Sequence, residues 1–389
     1  MRILLLAPQP FFIERGTPIA VKLLAQSLCS SGHKVDLLTF HEGSDIQLDG
    51  LQIYRTMRLP FVADIPIGLS WKKLLCDTLL GFKAIWMNLR RRYDVIHAVE
   101  ESVFVGCVIR LLRPKVRLVY DMDSSMADQL VEKWPRLVNV AKVFHAFEGF
   151  AVRRSDLVLP VCQALADKVT EYAPGKLVTV LQDVALEGDE EAADVDDIRN
   201  VAAAGSVIAL YVGNLEHYQG LDLALEGFAQ LEPDGQLSMV IIGGSADDIS
   251  IYKDKAEHLG IAAHTHFLGP KPVAQLMQYL VQADMLLSPR VKGQNTPMKI
   301  YSYLASGRPI LATDIQSHTQ VLDQTRSLLV RAESLDFANG LRQLLEEPEL
   351  RRRLGKAGAE RARKHHTYEA FHAKLEGAYD QLDELKTKS

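Results

Sequence analysis

Short apolar runs alternate with longer amphipathic segments along the first half of the chain. Strand-like runs lie at 2–7, 34–40, 95–97, 117–120, 157–161 and 177–180. Helical patterns lie between several of them, such as 18–30, which the Ser31-Gly32 pair ends. Regular strand–helix–strand alternation predicts a parallel sheet with helices on both faces.

The alternation restarts at Val207, which indicates a second domain of the same class. Its strand-like runs lie at 207–212, 239–242, 266–268, 285–288, 310–312 and 328–330. The segment 187–197 holds seven acidic residues in eleven and has no apolar periodicity, as in a solvated linker. We therefore predict a first domain over 1–186, a linker over 187–205, a second domain over 206–367, and a terminal helix over 368–389 that packs back on the first domain.

Composition fits this two-domain arrangement. The 389 residues are 48% hydrophobic and 24% charged, which excludes a disordered or collagen-like chain. No run of eighteen apolar residues occurs, and the start is too short for a signal peptide, so a cytoplasmic protein is expected. The four cysteines lack C-x-x-C spacing and are expected to be buried thiols.

Charge divides unevenly between the halves. Residues 1–183 contain 23 basic and 19 acidic residues, whereas the remainder contains 21 and 30. A basic first half suggests that one half of the protein meets something anionic.

The loop after the first strand ends in Gly16, Thr17 and Pro18. Pro18 suits the first turn of a helix, and Thr17 suits its N-cap. Gly16 would let backbone N–H groups approach a phosphate beside a positive helix end. A plain, well-capped strand-to-helix turn explains these residues equally well.

The segment 288–299 is the most informative in the chain. It follows an apolar strand and is predicted to enter a helix at Pro297, with Asn295 or Thr296 as the cap. Three cations and a glycine converge on this loop, namely Arg290, Lys292, Lys299 and Gly293. Such a loop is suited to a diphosphate, and its alternative is a solvated basic loop.

Several motifs resemble the family 4 nucleotide-sugar glycosyltransferases, which share the two-domain GT-B fold. The strongest is KIYSYLASGRPILATD at 299–314. In order along the chain come GTP at 16–18, SGHKVDLLT at 31–39, DVIHA at 94–98, VGNLEHYQGLD at 212–222 and VIIGG at 240–244. The resemblance covers essentially the whole chain.

The resemblance implies an α/β protein with two doubly wound Rossmann-like domains that face a central cleft, followed by a helical C-terminal segment. It implies a retaining enzyme whose second domain binds a nucleotide diphosphate-sugar of UDP or GDP type and whose first domain binds the acceptor. No metal cofactor is expected, because basic residues and helix ends neutralise the leaving diphosphate. No nucleic-acid partner is expected either. Carried onto this chain, the diphosphate site comprises Gly16, Thr17, Arg290, Lys292, Gly293, Asn295, Thr296 and Lys299.

The chain departs from the family pattern at the donor site. The family commonly has two acidic residues at the positions of Gln294 and Ser302, and Arg and Lys at those of Asn214 and Gln219. These four residues and Pro297 are the candidates for the donor sugar or nucleoside. The departures leave two alternatives open: a non-catalytic GT-B protein that binds nucleotide or glycan, and a GT-B sugar-nucleotide epimerase.

Carboxylates follow two strands of the first half. Asp121-Met122-Asp123 resembles the metal-binding D-x-D of another glycosyltransferase fold, but that fold has one core domain. Asp123 is a candidate for contact with donor sugar or acceptor, and its structural alternative is a helix cap. Glu100 and Glu101 follow the strand at 95–97, and Glu101 is our candidate for orienting the acceptor hydroxyl.

The segment 71–92 predicts an amphipathic helix with a basic side. Its apolar residues at 71, 74, 75, 79, 82, 85, 86 and 89 share one face. The segment contains six Lys and Arg residues and one acidic residue, Asp77. Such a helix suits either an anionic membrane surface or an ordinary core-facing position. The first reading fits a lipid-linked acceptor and a role in polysaccharide or glycolipid biosynthesis.

Overall fold

The computed structural model describes residues 1–13, 16–63, 65, 70–128, 138–186 and 195–387. The chain divides into two compact units, one formed by residues 1–182 with 371–389 and the other by residues 183–370. Among the described residues, no helix is both long and apolar enough to cross a bilayer.

The first unit is built on a parallel sheet of seven strands. They are β1 (Arg2–Ala7), β2 (Lys34–Thr39), β3 (Leu51–Arg55), β4 (Val95–Val99), β5 (Arg117–Met122), β6 (Leu157–Pro160) and β7 (Leu177–Val178). Their order is β3-β2-β1-β4-β5-β6-β7. The sequence pattern predicts all of them except β3, an edge strand that is only partly buried on both faces and so lacks a clear apolar signal.

Helices cover both faces of this sheet. They are α1 (Gly16–Ser30), α2 (Trp71–Arg90), α3 (Val103–Leu112), α4 (Val138–Arg154) and α5 (Gln163–Tyr172). Right-handed crossovers place α1 on one face and α2 to α5 on the other, because the chain reverses its direction across the sheet after β3. Buried residues of α2 to α5 accordingly form one core with alternate residues of β1 and β4.

The second unit repeats the design with six parallel strands. They are β8 (Val207–Val212), β9 (Leu237–Ile242), β10 (Thr265–Gly269), β11 (Met285–Ser288), β12 (Ile310–Thr313) and β13 (Leu328–Val330), in the order β10-β9-β8-β11-β12-β13. Its helices are α6 (Leu221–Ala229), α7 (Ala246–His258), α8 (Leu276–Leu280), α9 (Lys299–Ala305), α10 (Gln316–Thr319), α11 (Ser334–Glu346) and α12 (Pro348–His365). Two doubly wound sheets are therefore present, as the alternation of the sequence predicts.

The last helix, α13 (Tyr368–Thr387), contributes its residues from 371 onward to the first unit. Tyr379 is buried there, and its hydroxyl lies 2.7 Å from His97 Nδ1 on β4. Arg117 donates to Asp383 Oδ1 at 2.6 Å. The aromatic and ionic contacts together fix this helix to the sheet.

The acidic linker predicted over 187–205 is wrong in its second part. Residues 187–194 lie outside the described residues. From 195 onward the chain packs on the second unit: Ile198 is buried in its core, and Arg199 pairs with Asp284 at 3.2 Å. The acidic composition of the segment suggested a solvated linker, although Ile198 is buried and fixes residues 195–205 to the second unit.

Candidate functional site

The strand order of the second unit reverses between β8 and β11, so the loops that follow these two strands lie side by side. Such a switch point is where doubly wound sheets bind ligands. The backbone N–H of Val291 donates to Tyr218 O at 3.0 Å and ties the loops together. Gly220 permits this approach: its φ is +75°, and a Cβ there would overlap the carbonyl oxygen of Pro289.

Lys299 is the central polar residue of this edge. Its Nζ is buried and has no hydrogen-bond partner among the described residues. It lies 3.9 Å from the centroid of the Tyr211 ring, at the end of β8. Burial, aided by the nearby positive charge of Arg290, lowers the pKa of Lys299 to about 7. An ammonium group so placed gains strongly from an incoming anion.

Two further polar atoms at this edge have no partner within the described part of the chain. They are Oε1 of Gln219, in the loop after β8, and Oγ1 of Thr296, in the loop after β11. Both side chains are buried. Buried polar groups in folded proteins are normally hydrogen-bonded, so three such atoms on two adjoining loops indicate a ligand site.

Arg290 shapes the loop from within. Its guanidinium is buried, donates from Nε to Lys292 O at 2.6 Å and from Nη1 to Asn295 O at 3.1 Å, and stacks 5.2 Å from the Tyr218 ring centroid. Gly293, at φ +129°, makes room for it, because a Cβ there would overlap the guanidinium. The diphosphate contact expected of Arg290 stays a prediction, and its visible contacts are structural.

A buried histidine that the sequence analysis did not single out supports the same loop. His318 Nδ1 lies 2.8 Å from Thr313 O, a carbonyl that can only accept, so Nδ1 carries the proton. Its Nε2 then accepts from Ser288 Oγ at 2.8 Å, and Thr313 Oγ1 donates to Arg290 O. Burial lowers the pKa of His318 to about 4, which keeps the ring neutral. No motif or residue spacing in the sequence predicts these hydrogen bonds of His318.

The remaining donor-site candidates of the second unit differ in exposure. Lys292, Gln294 and Asn214 are exposed, whereas Asn295 and Pro297 are half-buried. The predicted helix start is wrong: α9 begins at Lys299, two residues after Pro297, and neither Asn295 nor Thr296 caps it.

Ser302, a candidate for the donor sugar or nucleoside, makes a structural contact, and its role toward the donor stays a prediction. Its side chain is fully buried, and Oγ accepts a hydrogen bond from Leu186 N at 3.0 Å. The hydroxyl thereby anchors the segment that enters the second unit.

In the first unit the strand order reverses between β1 and β4, and Glu100 stands directly after β4. Its φ of +53° is unusual for a residue with a side chain. Ser124 Oγ donates to both carboxylate oxygens, at 2.9 and 3.1 Å. Burial raises the pKa of Glu100 to about 7, against the opposing effects of Ser124 and Lys73. Backbone strain and a raised pKa at a switch point are typical of functional carboxylates.

The neighbouring Glu101, which we preferred from sequence, is held differently. It forms an ion pair with Lys73 of α2, and Lys73 also reaches Asp77 at 3.4 Å. Asp123 lies half-buried in the loop after β5, and its contact with donor sugar or acceptor stays a prediction. Sequence could not rank the two glutamates, because the backbone strain at Glu100 leaves no mark in residue types.

The loop after β1 lies at the same edge. Helix α1 begins at Gly16, so Thr17 lies within its first turn and the predicted N-cap role of Thr17 is wrong. Gly16 is exposed, and open space surrounds the position that a Cβ would take. Residues 14 and 15 lie outside the described residues.

Metal-ligating side chains do not cluster in the part of the chain that the structure describes: no group of three or more His, Cys, Asp or Glu comes together there. Asp121 of the D-x-D sequence instead faces His97, with 3.7 Å between Oδ2 and Nε2.

Family comparisons agree with this architecture. Residues 15–181 match the family described as "Glycosyl transferase 4-like domain", and residues 194–361 match "Glycosyl transferases group 1". The chain is 29% identical over 385 residues to the D-inositol 3-phosphate glycosyltransferase of Corynebacterium aurimucosum, covering 94% of this chain and 90% of that protein.

Solved structures show the same fold. Sucrose-phosphate synthase from Thermosynechococcus elongatus superposes with a TM-score of 0.81 at 19% identity, covering 99% of both chains. Anabaena Alr3699/HepE in complex with UDP-glucose superposes with a TM-score of 0.72 at 15% identity, covering 100% of both chains. Fold and sequence together define a GT-B glycosyltransferase. The chain belongs to family 4 of these enzymes, as the motifs at 16–18, 212–222 and 299–314 predict.

Proposed function

We propose that this glycosyltransferase moves a sugar from a nucleoside diphosphate-sugar of UDP or GDP type onto a hydroxyl acceptor, with retention at the anomeric carbon. The observation that carries the donor assignment is a set of three buried polar atoms at the switch point of the second sheet, Lys299 Nζ, Gln219 Oε1 and Thr296 Oγ1. None of them has a hydrogen-bond partner among the described residues. A diphosphate supplies the negative charge that would pair with the Lys299 ammonium group, and its oxygens accept a hydrogen bond from the Thr296 hydroxyl. The UDP-glucose in the Alr3699/HepE complex supports UDP as the first donor to test.

The acceptor is a glycan or a lipid-linked sugar, bound by the first unit. Glu100 is the residue we place at its hydroxyl, because its raised pKa lets it hold or receive a proton near neutral pH. Asp123 follows the adjacent strand β5 and shares that edge. In a retaining transfer the leaving phosphate can itself take the acceptor proton, so Glu100 orients the hydroxyl and need not remove its proton.

The enzyme works in the cytoplasm at an anionic membrane surface. Helix α2 supports this, because its apolar residues fall on two faces: Cys76, Leu80, Ala84 and Met87 pack on the core. A second set is more than half exposed, namely Trp71, Leu74, Phe82, Trp86 and Leu89. Five of the eight apolar residues that the sequence places on one face are therefore outward, as a membrane-facing helix requires, whereas Leu75 and Ile85 pack against the core.

Product analysis tests this function. The purified protein is incubated with UDP-glucose, UDP-galactose, UDP-N-acetylglucosamine and GDP-mannose, with and without inositol phosphate or a membrane lipid extract as acceptor. Release of UDP or GDP, with an α-anomeric signal in the product from an α-linked donor, supports retaining transfer. A new nucleotide-sugar formed without acceptor supports the epimerase alternative. Nucleotide binding with no turnover under any of these conditions supports the non-catalytic alternative.

A further inference from the structure

A long apolar groove of about 900 Å³ runs between helices α3 and α4 of the first unit. Phe104, Val108 and Leu111 of α3 line one side, and Val143, Phe147 and Phe150 of α4 line the other. Five of these six side chains are exposed, with Leu111 at 76% and Phe147 at 56%, and Phe104 is half-buried against the core. Soluble proteins rarely leave so contiguous an apolar surface uncovered without a binding role.

The rim of the groove is basic. Arg110, Lys142 and Arg154 lie along it, and none of the described lining residues is acidic. A second, polar pocket of about 480 Å³ shares Arg110 and Arg154 with the groove and adds Arg153 and Lys176. The groove therefore adjoins a pocket that is lined by four cations, Arg110, Arg153, Arg154 and Lys176.

The cluster carries more positive charge than its neighbours neutralise. Its one carboxylate, Asp156, pairs with Arg110 at 2.7 Å, and Lys176 donates to Ser155 O at 2.6 Å. Within the described chain, Lys142, Arg153 and Arg154 have no carboxylate in ion-pair range. Glu148 of α4 is buried on the inner face of its helix and bonds Ser125 and Tyr172, so it does not reach the groove.

The groove continues the exposed surface of α2. Right-handed crossovers place α2, α3 and α4 on one face of the sheet, and α3 packs between the other two. Eleven large apolar side chains that the structure shows exposed belong to these three helices, whereas the second unit exposes four scattered ones. Helices α2, α3 and α4 therefore form one layer whose outer surface is apolar and whose edge is basic.

We propose that this groove binds an anionic glycerophospholipid of the membrane, with an acyl chain between α3 and α4 and the phosphate in the cluster of Arg110, Arg153, Arg154 and Lys176. The shape supplies the two environments that such a lipid needs, an apolar groove and a cationic pocket that share lining residues. A second copy of the chain fits less well, because a two-fold contact would bring like-charged rims together. The proposal deepens the membrane part of the proposed function and rests on it, but it assigns a separate site.

Vesicle co-sedimentation tests the site. The full-length protein is mixed with vesicles of phosphatidylcholine alone or of an equal mixture with phosphatidylglycerol. We expect binding to the mixed vesicles, and a loss of at least about tenfold in affinity for Leu111→Gln/Phe147→Gln, because two apolar anchors are removed. The matched control Ile251→Gln/Leu335→Gln changes residues of 63% and 61% exposure in the second unit and should bind normally.

Two double variants, each of which removes two positive charges, test the phosphate pocket. Arg153→Gln/Arg154→Gln, which removes two of the four cations of the pocket, should lose the preference for phosphatidylglycerol. Arg353→Gln/Lys356→Gln, two exposed cations of α12, should keep it. The thermal shift given by UDP is recorded for every variant and should stay unchanged, which shows that fold and donor site are intact.

Three outcomes would overturn the proposal. In the first, Phe82→Gln/Trp86→Gln on α2 abolishes vesicle binding while the groove variants bind normally, which leaves the membrane role with α2 alone. In the second, light scattering shows a dimer without vesicles that Leu111→Gln/Phe147→Gln dissociates, which assigns the groove to a second copy. In the third, no variant and no vesicle composition changes binding, so both membrane proposals fail while UDP binding stands.

Discussion

Lys299 Nζ lies 3.9 Å from the centroid of the Tyr211 ring and has no hydrogen-bond partner among the described residues. The aromatic face contributes a modest cation–π attraction, which does not replace the lost hydration of an ammonium group. In the free protein the ammonium group at the switch point of the second sheet therefore carries an uncompensated desolvation cost. An anionic ligand would offset this cost, so the stability of the fold should depend on donor binding.

Lys299→Met is expected to stabilise the unliganded protein. The folded pKa is about 7, below the ordinary 10.5, so the unfolded chain binds more protons between these values and wild-type stability rises with pH across that window. Methionine removes this dependence and the desolvation cost, which is on the order of 1–3 kcal/mol at pH 7. Urea denaturation at pH 7 and 9 measures both effects.

The control for this variant is Lys356→Met, which removes an exposed lysine of α12 and should leave stability and its pH dependence unchanged. A less stable Lys299→Met protein at pH 7 would show that the ammonium stabilises the apo fold, against this account.

UDP affinity is expected to weaken as pH rises above 7. In the proposed donor site the diphosphate pairs with the protonated form of Lys299, whose pKa in the free protein is about 7, so each further pH unit should cost nearly a factor of ten in affinity. Lys299→Arg keeps its charge throughout and should remove this dependence. Titration calorimetry from pH 6 to 9 compares them, and parallel pH profiles would place the titrating group elsewhere.

Gly220→Ala is expected to disrupt the contact between the loops after β8 and β11. Gly220 and Gly205 have similar positive φ values of +75° and +81°, but only at Gly220 would a Cβ meet the chain. Gly205→Ala should therefore cost about 1–2 kcal/mol of stability from its backbone alone and leave UDP affinity intact. Gly220→Ala should cost more and weaken UDP binding. Equal effects of the two variants in denaturation and calorimetry would contradict this.

The two glutamates after β4 should respond oppositely to neutralisation. Glu101→Gln removes the charge that pairs with Lys73, so stability should fall by on the order of 1–3 kcal/mol. Glu100 has a folded pKa of about 7 against an ordinary 4.5, so its contribution is present below pH 4.5 and lost as pH rises through 7. Glu100→Gln should therefore raise the melting temperature at pH 8 and change it little at pH 4.

Melting curves of both variants at the two pH values distinguish these roles. A lower melting temperature for Glu100→Gln at pH 8 would assign Glu100 a stabilising charge and remove it as the acceptor residue. Donor turnover with acceptor, measured on the same proteins, should fall for Glu100→Gln.

Sequence pattern predicted most of the fold because buried parallel strands read as short apolar runs. The runs at β8, β11 and β13 match the observed strands to the residue. β3 was missed because an edge strand with partly exposed faces carries no such run. On α2, periodicity located the helix but not its buried side, because both sides are apolar and only the tertiary structure selects Cys76 and Leu80 for the core.

The candidate site was predictable where a residue type is chemically conspicuous. Lys299 and Thr296 were named from the segment 288–299, and Gln219 was named from the family resemblance. Each has a buried polar atom without a hydrogen-bond partner among the described residues. Features that depend on backbone conformation were not predictable, such as the positive φ of Glu100 and the inward turn of Arg290. The neutral His318 that pins the loop was missed, since lone histidines have no diagnostic spacing.

The most direct test of the central claim is a thermal-shift series with UDP, UDP-glucose, GDP and ADP, run without metal and again with Mg²⁺, on the wild type and on Lys299→Met. We predict that one nucleoside diphosphate stabilises the wild type by about 2.7 kcal/mol at a hundred times its dissociation constant, and that Lys299→Met loses this shift while folding normally. An equal shift in both proteins would place the diphosphate away from Lys299 and contradict the donor site described above.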